Sequence, residues 1–178
     1  MGSKNKLKRF KENDTFGNVF QPTREQVVTD QFSLKGKWNI DYFKNNNPIV
    51  LELGCGKGEY SVGLAEKYPN KNFIGIDLKG ARFWRGAKTA VDTGLTNVAF
   101  IRTQIELINH IFNENEVDEI WITFPDPQIK YKRTKHRMTN SKFLKLFVIF
   151  LLNLPYMYNP HQNNDPFEFY LYDNFQYL

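Results

Sequence analysis

From residue 48 onward short apolar runs alternate with helix-patterned stretches, and this alternation limits the possible folds more than any other feature of the chain. PIVLEL (48–53) is an apolar run closed by Gly54, and EYSVGLAEKY (59–68) has helical character until Pro69 and Asn70 stop it. NFIGID (72–77) reads as a second buried strand. ARFWRGAKTAV (81–91) reads as a helix with Trp84, Ala87 and Val91 on one face and Gly94 placed to cap it. NVAFIR (97–102), QIELINHIF (104–112) and EIWITF (119–124) add strand, helix and strand. Such spacing implies βαβ units and a mostly parallel α/β sheet with flanking helices. Ligands of these sheets bind beyond the carboxyl ends of the strands. Here those ends carry residues 52–58, 77, 102–104 and 124–127.

The 178 residues suit one domain with a substantial core. Residues 1–47 lack sustained periodicity and carry turn-formers at Asn13-Asp14, Gly17-Asn18 and 45–47, so they read as a basic, mobile N-terminal arm. Residues 48–147 form the folded unit. Residues 148–178 are an atypical aromatic tail; from 146 to 178 there is no Lys or Arg. That shift leads us to expect a truncated or frame-shifted product, with a natural divergent end as the alternative.

Cys55 is the only cysteine, which rules out an internal disulfide within the chain. The N-terminus is basic without an apolar core, unlike a secretory signal. The run LFVIFLL (146–152) is shorter than the roughly 20 residues of a membrane span. The expectation is a cytoplasmic protein with no membrane partner. His110, His136 and His161 lack metal-ligand spacing, and no metal is expected. The net charge of +5 is placed unevenly: Lys4, Lys6, Lys8, Arg9 and Lys11 form one cluster and residues 130–137 another. Uneven basic charge suits a polyanionic partner, although a solvated surface has the same composition.

ELGCGKG (52–58) spaces Gly54, Gly56 and Gly58 as G-x-G-x-G. Glycines at a strand-to-helix turn allow unusual dihedrals and close approach of a ligand, and they also suit a tight turn in any α/β protein. Asp77, ending the next strand, stands where an acid accepts from ribose hydroxyls. A nicotinamide-binding turn generally shows G-x-G-x-x-G. Here the third glycine comes one residue early and Glu52 precedes the loop. Cys55 within the loop fits as a small residue, with no histidine near it in sequence to activate it as a nucleophile.

Glu-x-Gly-x-Gly-x-Gly followed by an acid after the second strand resembles the class I methyltransferases that use S-adenosylmethionine. The resemblance implies a Rossmann-like fold in which Gly54, Gly56 and Gly58 line the cofactor, Glu52 faces its methionine portion and Asp77 its ribose. It also implies a residue after the third strand near adenine. The candidate is Gln104, where related enzymes commonly place an aspartate; its amide oxygen is an acceptor for the adenine amino group.

FPDPQIKYKRTKHR (124–137) then frames Asp126 between Pro125 and Pro127 and follows it with Lys130, Lys132, Arg133, Lys135 and Arg137. This stretch resembles the bacterial tRNA (guanine-N7-)-methyltransferase family, whose pattern is Phe-Pro-Asp-Pro-Trp, a lysine and a basic run. RFWRGAK (82–88) and the arm running to FGNVFQP (16–22) fit the same family. The chain departs from it at Gln128, in place of Trp, and after Phe147, where the family's Thr-Asp segment has no counterpart. The resemblance implies transfer of a methyl group to N7 of a guanine in the tRNA variable loop. Asp126 would be the catalytic acid, close to both cofactor and base, with Lys130, Arg133 and Arg137 on tRNA. Arg82, Arg85 and Lys88 recur every three residues and either extend that RNA face or are simply solvated. A noncatalytic RNA-binding relic of such an enzyme is the alternative reading.

Overall fold

A computed structural model of the chain describes residues 3–123. Its centre is a five-stranded sheet built from β1 (Val19–Phe20), β2 (Ile49–Leu53), β3 (Asn72–Ile76), β4 (Val98–Ile101) and β5 (Glu119–Trp121). The spatial order is β1-β4-β3-β2-β5 and every pairing is parallel. All five carboxyl ends therefore share one rim. From β2 the sheet grows through β3 and β4 to one side and through β5 to the other, so the topological switch point lies between β2 and β5.

The central strands are covered on both faces, which is why they read as nearly unbroken apolar runs. Along β2, Ile49, Leu51 and Leu53 join Ile74, Ile76, Ala99 and Ile101 in one core cluster, while Val50 joins Phe73, Val98 and Phe100 in the other. The second cluster is closed by α3 (Glu59–Lys67) and α4 (Gly80–Thr93) through Val62, Ala65, Phe83, Ala87 and Ala90. The first is closed by a 3-10 turn (Ile105–Leu107), the short α5 (Ile108–Ile111) and segments from the N-terminal 47 residues. Gly94 caps α4 in the left-handed conformation, with φ +72°.

The buried face of α4 carries Phe83, Ala87 and Ala90. Of Trp84, Ala87 and Val91, read as sharing one face, Ala87 is buried and Val91 is 47% exposed. Trp84 turns instead to α1 (Ser3–Asn13), where its Nε1 donates to Glu12 at 3.0 Å and the Arg9 guanidinium lies 4.7 Å from its ring centre. The N-terminal segment, read as a mobile arm, carries regular elements of its own. Beyond α1 it adds β1 to the sheet edge and continues as α2 (Arg24–Val28) and a π-helical turn (Trp38–Phe43). Val27, Trp38 and Phe43 are core residues, and the Trp38 Nε1 donates to the Ile111 carbonyl at 3.2 Å. The segment is anchored by isolated large side chains, so no periodic apolar stripe announces it.

One close contact sets the distance between α4 and the glycine loop. Gly86 N donates to the Lys57 carbonyl at 3.0 Å. A Cβ at Gly86 would stand 2.8 Å from Lys57 O and 2.9 Å from Gly58 Cα, both of them backbone. Gly86→Ala should therefore lower stability, since overpacking costs about 1–3 kcal/mol and the gain in helix propensity returns about 1 kcal/mol at most. Thermal unfolding checks this, and a melting temperature equal to or above that of the parent contradicts it.

Candidate active site

The loop after β2 crosses the carboxyl rim between β2 and β3. Gly54 N and Cys55 N both donate to the Ile76 carbonyl, at 2.8 and 3.0 Å, which pins the loop to the end of β3. Gly56 has φ +58°, and a Cβ there would meet nothing nearer than 3.8 Å, so this part of the loop presents open backbone. Gly58 differs: at φ +74° a Cβ would stand 2.4 Å from the Phe100 ring. Both are favoured by their left-handed φ, and Gly58 also by close packing against Phe100.

Glu52 is buried at 4% exposure on the α3 side of β2, yet it is held by hydroxyls from two other elements. Ser61 Oγ, on α3, donates to Oε2 at 2.5 Å, and Thr123 Oγ1, just beyond β5, donates to Oε1 at 2.6 Å. Burial pushes the Glu52 carboxyl above the usual carboxylate range, and hydrogen bonds from Ser61 and Thr123 oppose that push. Neither hydroxyl residue was singled out from the sequence. A serine one turn into a helix and a threonine at a strand exit carry no pattern of their own.

Asp77 ends β3 and accepts from two backbone groups, Gly56 N at 3.1 Å and Lys79 N at 2.7 Å. It thus links the glycine loop to the start of α4. A carboxylate has about four acceptor positions, which leaves about two for a ligand. Arg82, exposed on α4, approaches the loop, with a guanidinium nitrogen 3.8 Å from the position of a Gly56 Cβ. Cys55 is buried, and its thiol is pushed well up, first by burial and then by Glu52 and Asp77 nearby. A thiol so held stays protonated and serves packing rather than nucleophilic attack.

The structure brings Glu52, Gly54, Gly56, Gly58 and Asp77 together at the β2–β3 end of the rim. Gln104 lies after β4, is exposed, and its Oε1 accepts from Arg24 of α2 at 2.5 Å. Arginine has no acceptor, so this contact fixes the amide with its oxygen toward Arg24 and its NH2 free. A role for Gln104 as acceptor toward adenine must use the second lone pair of that oxygen. Asp126, Lys130, Arg133 and Arg137 lie outside the described residues. Of the other cations, Lys6, Lys8 and Lys11 on α1 and Arg82 and Arg85 on α4 are exposed, whereas Lys88 pairs with Asp92 at 2.9 Å. Among the described residues, no helix is long and apolar enough to cross a membrane.

A buried acid facing one end of an open glycine loop and a second acid at its other end suit a ligand with an ammonium group and ribose hydroxyls. The residues present therefore fit S-adenosylmethionine.

Comparison with known proteins points the same way. A family model described as "Putative methyltransferase" matches residues 46–157. A tRNA (guanine-N(7)-)-methyltransferase of Christiangramia forsetii is 72% identical over 147 residues, covering 83% of this chain and 66% of that protein. One of Bacteroides fragilis is 51% identical over 150 residues, covering 84% and 59%. One of Lachnoclostridium phytofermentans is 38% identical over 147 residues, covering 83% and 68%. The chain thus spans about three-fifths to two-thirds of the length of these relatives. With identity this high across so much of both sequences, the chain belongs to the tRNA (guanine-N7-)-methyltransferase family.

Proposed function

We propose that the chain transfers the methyl group of S-adenosylmethionine to N7 of a guanine in the variable loop of tRNA. The observation that carries this reading is the joining of Glu52 and Asp77 by one glycine loop at the carboxyl rim, in a chain 72% identical over 147 residues to a protein named for that reaction. When bound, the cofactor supplies a methyl group made electrophilic by its sulfonium. Glu52 would hold the ammonium of the methionine portion, Asp77 would accept from the ribose hydroxyls, and the open backbone at Gly54 and Gly56 would line the ligand. Gln104 would flank the adenine.

Asp126 addresses the base. Guanine N7 carries a lone pair and no hydrogen, so no proton need be abstracted before attack. Methylation leaves a cationic purine, and a fixed carboxylate stabilises charge that grows toward the transition state. The same carboxylate can hold the guanine N1–H and amino edge. Lys130, Arg133 and Arg137 contact phosphates, with the exposed lysines of α1 extending the basic surface.

The direct test is transfer of labelled methyl from S-adenosylmethionine to tRNA by the chain, followed by location of the label at guanine N7. Cofactor and tRNA binding without transfer would overturn the proposal in favour of the noncatalytic reading. Affinity for tRNA should also fall steeply with salt, each phosphate contact contributing a log–log slope of about −0.7 to −0.9. Lys130→Ala and Arg133→Ala should each flatten that slope by about one such contact. A slope unchanged in both variants returns these charges to the solvated surface.

A further inference from the structure

Glu52 stands on β2 at the switch point, and its two oxygens are held from opposite sides of that point. Ser61 reaches it from α3, which follows the glycine loop, and Thr123 reaches it from the exit of β5, the strand paired with β2 through Val50↔Glu119, Leu51↔Ile120 and Glu52↔Trp121. Sixty-two residues of sequence separate the two donors, yet both bonds are short, at 2.5 and 2.6 Å. A hydroxyl donating to a carboxylate makes one of the stronger neutral-to-charged hydrogen bonds.

We propose that Thr123 and Ser61 are positioning residues for cofactor binding: their hydroxyls clamp Glu52 across the switch point, so that its remaining acceptor position meets the ammonium of the cofactor's amino-acid end. This rests on the reading of Glu52 as the methionine-side acid. Without a clamp, a buried glutamate has two routes out of service. It can rotate away to find other donors, or it can take up a proton and lose both charge and an acceptor position. The hydroxyls oppose both. The two hydroxyls take one acceptor position on each oxygen and the Ser61 backbone N–H takes a third, which leaves about one for the ligand. Each bond also stabilises the ionised form against the burial that disfavours it.

Glu52 attracts a cationic ligand only while it is ionised.

The test uses the full chain, isothermal calorimetry and S-adenosylhomocysteine as the probe, across a pH series. A Glu52 carboxyl raised by burial loses affinity for an ammonium as pH falls through its pKa. Removing a hydroxyl that opposes the rise moves that loss to higher pH. Thr123→Val should weaken binding about tenfold near neutrality and shift the acid limb of the affinity profile upward. Thr123→Ser should restore both, and Ser61→Ala should repeat the Val result. Melting temperatures of each variant show whether the fold persists. A Thr123→Val protein that folds and keeps the parent's affinity and pH profile overturns the clamp. So does a uniform loss of affinity with an unmoved acid limb, which marks a merely structural residue. If the parent binds no S-adenosylhomocysteine at any pH, the cofactor reading itself fails and the clamp falls with it.

Discussion

Asp126→Asn should slow single-turnover methyl transfer by about 10²–10³ while changing cofactor affinity much less. The asparagine keeps the size and part of the hydrogen bonding of the aspartate and loses only its charge. Removal of one electrostatic contact to a transition state costs on the order of 10²–10³ in rate. Residues 124–137 lie outside the described residues, so the role comes from the family pattern. Thr123, three residues before Asp126 in the sequence, donates to Glu52 at 2.6 Å. Because N7 has no proton, the rate should lack the rise with pH that a proton-abstracting carboxylate would give. If Asp126 only caps a turn between Pro125 and Pro127, the variant will show a large fall in melting temperature and a near-normal rate per folded molecule. Rate and melting temperature measured on the same preparation decide the matter.

Strands β2 to β4 and helices α3 and α4 were legible because each buries enough residues to write its period into the sequence. Glu52 was legible for the opposite reason, as an acid inside an apolar run. Where structure depends on single anchors or on partners distant in sequence, the pattern fell silent. β1 has two residues, too few for alternation, and its pairing with Phe100 and Ile101 spans some eighty residues. Asn13 looked like a turn-former; it is fully buried, with Nδ2 donating to the Gly80 carbonyl at 3.0 Å. Trp84, on one helical face with Ala87 and Val91, meets Glu12 and Arg9 of α1, a contact that helical spacing alone does not show. The clamp on Glu52 and the Arg24–Gln104 contact were invisible for the same reason. Hydroxyl, guanidinium and amide groups have no periodicity of their own, and chain distance hides which of them meet.

Asp77→Ala should reduce S-adenosylhomocysteine affinity by about a hundredfold or more, since two hydrogen bonds to a charged acceptor are worth about 1.5–3 kcal/mol each. The structure adds a complication. Asp77 also accepts from Gly56 N at 3.1 Å and Lys79 N at 2.7 Å, so its loss loosens the loop as well as the ligand. Asp77→Asn, which keeps one acceptor oxygen and replaces the other with a donor, should fall between alanine and the parent. Affinity alone cannot separate ribose recognition from loop support, but a double-mutant cycle in protein and ligand can. S-adenosylhomocysteine and an analogue lacking the ribose 2′- and 3′-hydroxyls are titrated against the parent and against Asp77→Ala. If Asp77 accepts from the ribose, the parent prefers the hydroxylated ligand strongly and the alanine variant loses most of that preference. If the carboxylate only supports the loop, both ligands weaken together and the preference survives. The ribose assignment stands on that ratio, and an alanine variant that discriminates as well as the parent removes it.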